Sequence, residues 1–274
     1  MTRHFLLSAG IGDAALADPA YAAQILPLAE AAGVDLLLLG RPDSLPFDAQ
    51  VIAAWAAPRL SRMGVVPLVT TRLGHPFHTA RALSAIDYLT GGLLGWCPVG
   101  EGGDAGQVTD MVQAARALWD GWDADCLIID KASGRYLDAS KVRRSNYVGT
   151  HYKTRGPVNA MRPKQGHPLL VCDARSPFAV PGIDVAIAAE GQGMPLAARR
   201  LLRVEGKLDA AALAQRFAAG EIDGVHVDLA DPRAELPHLG ASLAALTAGR
   251  PATGTLRERL GLPLKTSIAQ EEIA

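Results

Sequence analysis

The run "VDLLLLG" at residues 34–40 constrains this chain more than any other stretch. Uninterrupted apolar sequence of strand length marks a parallel strand buried on both faces. Three further runs of this kind flank it in the first half: "FLLSAG" (5–10), "GVVPLVTT" (64–71) and residues 93–99. Helical patterns lie between and after them. One runs through "AYAAQILPLAEAAG" and ends at Gly33; another covers 48–62 with Asp48 as N-cap. A third covers 78–90 with "TGG" as its C-terminal stop, and a fourth covers 108–122. Strand–helix alternation of this regularity predicts a parallel sheet, either open and doubly wound or closed as a (β/α)8 barrel.

The rhythm breaks over 126–168, where polar and apolar residues alternate among glycines and prolines, as expected of a β-hairpin insertion. Strand signals return at 169–173, 184–190, 199–205 and 224–230, with one full helical pattern, 209–220, among them. The links "ARSPFAVPGI" and "GQGMPLAA" are too short for crossover helices. Eight strands with thin helical cover in the second half predict an α/β chain, a (β/α)8 TIM-barrel-like fold with a reduced C-terminal half. Residues 1–274 read as a single barrel domain, and closure depends on whether 188–205 supplies a strand.

A net charge of −1 in 274 residues leaves no footprint for nucleic acid or an acidic membrane surface. No apolar run approaches the ~20 residues of a membrane span, and "MTRHFLLSAGIGDAAL" does not read as a signal peptide. Cys97, Cys126 and Cys172 are odd in number and lack CxxC spacing, which suits a reducing cytoplasm with free thiols and no zinc site. No dinucleotide or P-loop fingerprint follows any strand; "GEGGDAG" (100–106) is glycine-rich but lacks the P-loop lysine. His75 and His78 could converge on a metal only with a third ligand such as Asp43 or Asp173, and no HxxxH or HExxH spacing supports such a site. His226 sits inside an apolar strand at inward parity, either as a satisfied core group or as an acid or base. Trp119 and Trp122 read as a helix packing face. Asp228 and Glu190 at strand ends leave a hydrolase conceivable on carboxylate position alone.

Several stretches carry a family resemblance. "TTRLGHPFHTARALSAIDYLTGGLLGW", "LWDGWDADCLIIDKASGRYLDASKV" and "VGTHYKTRGPVNAMRPKQGHPLLV" resemble the bacterial luciferase-like flavin monooxygenases. Within these they are similar to the group acting on nitrilotriacetate, EDTA and dibenzothiophene sulfone. "FAAGEIDGVHVDL" and "TLRERLGLP" look like the same group's last barrel unit and C-terminus. The resemblance implies a barrel binding reduced FMN at the C-terminal ends of its strands. It also implies a flavin reductase as partner, a small-molecule substrate and O2 activated on the flavin.

Mapped residue by residue, the family's strand-end Asp falls on Gly40 and its Ser-Thr-Thr on Thr70, Thr71 and Arg72. Thr71 is then a candidate for the polar edge of the flavin, or simply a loop cap. An asparagine is replaced by Cys97. The phosphate-binding turn keeps Ser176 and Pro177 but has Arg175 in place of a small residue, so Arg175 or Ser176 are candidates for the phosphate. His78 falls where a helix N-terminal role is implied, and His151 belongs to the hairpin motif. Two blocks of the family are absent, one between Trp96 and 108, where the family has residues near the flavin, and one around 188–205, where it has extra helices and long loops. Two readings follow. One is an FMNH2-dependent monooxygenase; the other is a degenerate, non-catalytic paralogue that binds flavin or another subunit. Either is expected as a homo-oligomer, with no metal.

Overall fold

The computed structural model describes residues 3–72, 74–100 and 104–265. Eight parallel strands close into a barrel. They are β1 (Leu6–Ile11), β2 (Leu36–Leu39), β3 (Gly64–Thr70) and β4 (Gly95–Val99), then β9 (Leu169–Asp173), β10 (Ile183–Ala189), β11 (Ala197–Arg203) and β12 (Gly224–Leu229). β12 pairs with β1 from Leu6↔Gly224 to Ile11↔Leu229 and completes the circle. The 188–205 region supplies β11, two residues earlier than its sequence pattern suggests, and β11 pairs with both β10 and β12. That settles closure.

Helices α1 (Pro19–Ala31), α2 (Ala49–Ala56), α3 (Pro76–Leu89), α4 (Ala105–Asp120), α5 (Ala210–Ala218) and α6 (Pro232–Thr247) surround the barrel. Five of these begin the same way. Asp18, Asp48, Asp104, Asp209 and Asp231 each accept a backbone N–H of the first turn, which satisfies donors the helix itself cannot. No helix separates β9 from β10 or β10 from β11, in line with the short links. The α6 helix has no counterpart in the sequence reading, because Pro237 and Gly240 interrupt its pattern. Helix α3 starts at Pro76, so its N-cap is His75, whose Nδ1 accepts the Phe77 N–H; His78 lies within the first turn. Among the described residues no helix is long and apolar enough to cross a membrane.

The insertion forms two small antiparallel pairs, β5 (Leu127–Asp130) with β6 (Arg135–Leu137) and β7 (Tyr147–Val148) with β8 (Lys153–Thr154). Asp110 of α4 accepts the Tyr147 hydroxyl and the backbone N–H groups of His151 and Tyr152, which pins the insertion to the barrel. Trp122 donates to Val158 O at 2.9 Å, and Trp119 lies edge-on to Trp96 with its own Nε1 bonded to Ala80 O. Both tryptophans are core, as the sequence spacing suggests. Of "GEGGDAG", residues 101–103 lie outside the described residues; Asp104 caps α4 and Gly106 is within it.

Inward side chains such as Leu36, Leu38, Val66, Leu68, Val171 and Ile187 form an inner core. Its floor is closed by Leu256 and Leu260, on or beside α7 (Leu256–Arg259), and by Leu262 beyond it. Arg257 anchors that floor on Asp184, at 2.6 and 3.0 Å. Nearby, Asp87 accepts from Gln165 Nε2 at 2.7 Å and Gln165 N at 3.2 Å. No cation joins them among the described residues, and burial pushes the Asp87 carboxyl up to about 6 in spite of these bonds. A carboxyl raised in the folded state contributes its full stability below its unfolded value and loses it as pH rises through the folded one. The gap in unfolding free energy between the native chain and Asp87→Asn should therefore shift in the variant's favour by about 2.4 kcal/mol from about pH 4 to about pH 7.5. Urea unfolding at the two pH values checks this; a constant gap would contradict it.

Candidate active site at the barrel mouth

The upper layer of the barrel interior is polar. β1 contributes Ser8, β9 Asp173, β11 Arg203 and β12 His226 with Asp228, because inward parity alternates along each strand. Ser8 Oγ lies 2.9 Å from His226 Nδ1, and His226 Nε2 lies 3.2 Å from Asp228 Oδ1. Gly10 makes room for this pair: a Cβ there would stand 2.7 Å from Asp228 Oδ1. Ser8 and His226 are fully buried, so a Ser–His–Asp chain is present with its hydroxyl at the inaccessible end. Burial pushes the His226 imidazole below its ordinary value, against the pull of Asp228. The histidine is a satisfied core group.

Two arginines tie this layer together. Arg203, with a side chain 3% exposed, donates from Nη2 to Asp173 Oδ2 at 2.5 Å and brings Nε within 3.3 Å of Asp228 Oδ2. That last contact is an ion pair without hydrogen-bond geometry, and Arg203 Nη1 has no partner among the described residues. Arg175 spans the opening. Its Nη2 reaches Asp173 at 2.8 Å, its Nη1 reaches Asp228 at 2.9 Å, and Asp43 lies 3.7 Å from Nη1. Asp43 belongs to the turn after β2, so Arg175 links that turn to β9 and β12 across the mouth. Burial works to raise the Asp173 carboxyl, but the Arg175 hydrogen bonds and the Arg203 charge prevail and hold it below the usual carboxylate range. Asp228 is likewise held low by His226 and the two arginines against its own burial.

The candidates named from the sequence are distributed around this rim. Gly40, at φ +99°, receives Leu45 in the space a Cβ would occupy, at 2.5 Å, so the turn after β2 folds onto the mouth. Thr70 Oγ1 accepts the Arg72 N–H, and Thr71 Oγ1 bonds Gln107 at 3.1 Å. Cys97 is buried inside β4, and burial pushes its thiol well up. Ser176 Oγ accepts the Gly100 N–H at 3.2 Å, which ties the ends of β4 and β9. Glu190 lies at the surface paired with Arg216, at 2.6 Å. Ser8 and Arg203 are site residues that the sequence does not single out; Asp43 and Asp173, which it offers only as third ligands for a metal at His75 and His78, instead join the arginine cluster. An arginine in a strand at inward parity needs a carboxylate, and that is the available signal.

Comparison with known proteins decides the family. The model for the luciferase-like monooxygenase family matches residues 1–204. The chain belongs to the luciferase-like monooxygenases. One component of the pristinamycin IIA synthase of Streptomyces pristinaespiralis is 30% identical over 258 residues, covering 85% of this chain and 86% of that protein. Nitrilotriacetate monooxygenase component A of Aminobacter aminovorans is 32% identical over 154 residues, but the match spans 50% of this chain and only 34% of that longer one. Among solved structures, EDTA monooxygenase from Chelativorans sp. BNC1 superposes with a TM-score of 0.73 at 16% identity, over 96% of this chain and 99% of that one. At that identity the likeness speaks for the barrel fold.

Removing Arg203 leaves Asp173, which has no exposed surface, with Arg175 alone. Arg203→Met should cost roughly 3–5 kcal/mol, the usual penalty for stripping one partner from a buried ion pair. Chemical denaturation at neutral pH measures it. A loss under about 1 kcal/mol would mean that the cluster is effectively solvated.

Proposed function

We propose that this luciferase-like chain serves flavin-dependent monooxygenation as a closed-barrel component of a larger assembly, beside a family member that carries the flavin. In this reading the reduced FMN comes from a reductase, and O2 and a small-molecule substrate react on the partner. The assembly works in the cytoplasm, a setting supported by three buried, unpaired cysteines. The second barrel, for which the sequence leaves open another copy of this chain or a full-length homologue, is in this reading the longer relative. The 30% identical synthase component is a precedent for a short family member working within a multi-component enzyme.

The observation that carries this reading is the Arg175 bridge. A flavin ring needs a flat, largely apolar slot over the strand ends, and its phosphate needs surplus donors or positive charge. The residues present do not fit that group. The slot's position is crossed by Arg175, backed by Arg203, Asp173 and Asp228 and edged by Leu45. The polar atoms that the family mapping offers, on Thr70, Thr71 and Ser176, all bond within the protein. The positive charge of Arg175 is already matched by carboxylates, and one unpartnered Arg203 nitrogen beneath it does not make a phosphate site.

Anaerobic titration of the purified chain with FMN and with FMNH2, followed by calorimetry, tests the proposal. The expected result is no binding of either form at high micromolar concentration by a chain whose circular dichroism is that of a folded α/β protein. Micromolar binding of FMNH2 by the isolated chain would contradict it. The chain would then be a complete FMNH2-dependent monooxygenase, to be supplied with a reductase and screened for oxygen uptake.

A further inference from the structure

A cavity of about 700 Å³ lies beside the closed mouth, between the segment after β11 (204–208), the end of β12 and the flank of α6. Its volume falls in the range that small-molecule sites occupy, about 300–1,000 Å³. Its inner end borders the mouth cluster at Arg175 and Asp228, and the rest of its lining stands outside that cluster. Val227, Leu229, Leu208 and Leu239 give it an apolar wall, and Glu205 and Glu235 place carboxylates on its polar side.

The charge pattern selects the ligand. At the inner end Arg175 is committed to Asp173 and Asp228, and Arg41 stands 3.6 Å from Asp43, which offsets its charge. Neither Glu205 nor Glu235 has a cation within ion-pair distance among the described residues. The start of α6 would ordinarily attract an anion through its free N–H groups. Here Asp231 accepts the N–H groups of Arg233 and Ala234, and Glu235 accepts that of Ala230, so the donors are spent and two carboxylates stand in their place. An anion entering the cavity meets the two carboxylates, with Lys207, His238 and Ser242 as the donors on the other side of the balance. A cationic head on an apolar body gains both the carboxylates and the wall. Lys207 on the same segment is the remaining cation and works against such a ligand.

We infer that this cavity binds a small, mostly apolar organic amine in its protonated form. The inference rests on the proposed function in one respect, that Arg175 stays paired with Asp173 and Asp228; Glu205 and Glu235 stand outside that cluster, and FMN titration tests the pairing separately.

Three probes of equal chain length separate the contributions: octylamine, octanol and octanoate, each titrated by calorimetry into the full chain. Octylamine should bind roughly tenfold tighter than octanoate, with octanol between them. Glu235→Gln keeps an acceptor for Ala230 and should weaken octylamine several-fold while leaving octanol unchanged. Lys207→Ala should strengthen octylamine and weaken octanoate. Ser242→Trp, an exposed position on the α6 flank, should occupy part of the cavity and weaken all three several-fold without changing the melting temperature. Octanoate binding as tightly as octylamine would overturn the inference. So would no binding by any probe, or octylamine binding unaffected by Ser242→Trp.

Discussion

Two arginines and two aspartates, Arg175, Arg203, Asp173 and Asp228, hold the C-terminal end of this barrel, and the character of the whole mouth depends on them. Charges are expensive to bury, several kcal/mol per ion even after the protein relaxes, and the expense is met only when each ion keeps partners of good geometry. Asp173 is met by both arginines, at 2.8 and 2.5 Å, and Asp228 by both as well as by His226. Because β9, β11 and β12 each contribute one member at inward parity, the cluster also fixes how these strand ends sit relative to one another. Helical cover is thinnest around β9, β10 and β11, and there the strand ends are joined through their side chains.

In the proposed reading, the same cluster takes the place of a ligand at the strand ends. At the strand ends stand the guanidinium group of Arg175, Leu45 over Gly40 and the turn carrying Asp43. The floor is sealed separately by α7 and the Arg257–Asp184 pair, so the barrel is packed at both ends. The cavity on the α6 flank lies beside the mouth and borders the cluster at Arg175 and Asp228.

Much of the fold is legible because its signals are local. Continuous apolar runs such as 36–39 mark strands buried on both faces, and an aspartate before a helical pattern, as at Asp48, marks a start. The links at 174–182 and 190–196 are too short for helices, and none forms there. Helix α6 is not legible, since proline and glycine within it are signals of interruption, and the packing that overrides them is tertiary. The mouth is readable only in part. Asp228, His226 and Arg175 draw notice singly, but their convergence with Asp173 and Arg203 depends on which strands become neighbours across the closed barrel. Family mapping directs attention to Thr71 and Ser176, whose hydroxyls are engaged locally, and away from Arg203, for which the mapping offers no counterpart.

The most direct test of the closed mouth is NMR of the arginine side chains, with the Arg203 Nε–H assigned by comparison with Arg203→Lys. A sealed ion-pair cluster predicts an Arg203 Nε–H resonance that exchanges slowly with water and does not shift when oxidised FMN is added in excess. Rapid exchange with solvent, or a shift that saturates with FMN, would show an open mouth and contradict the account.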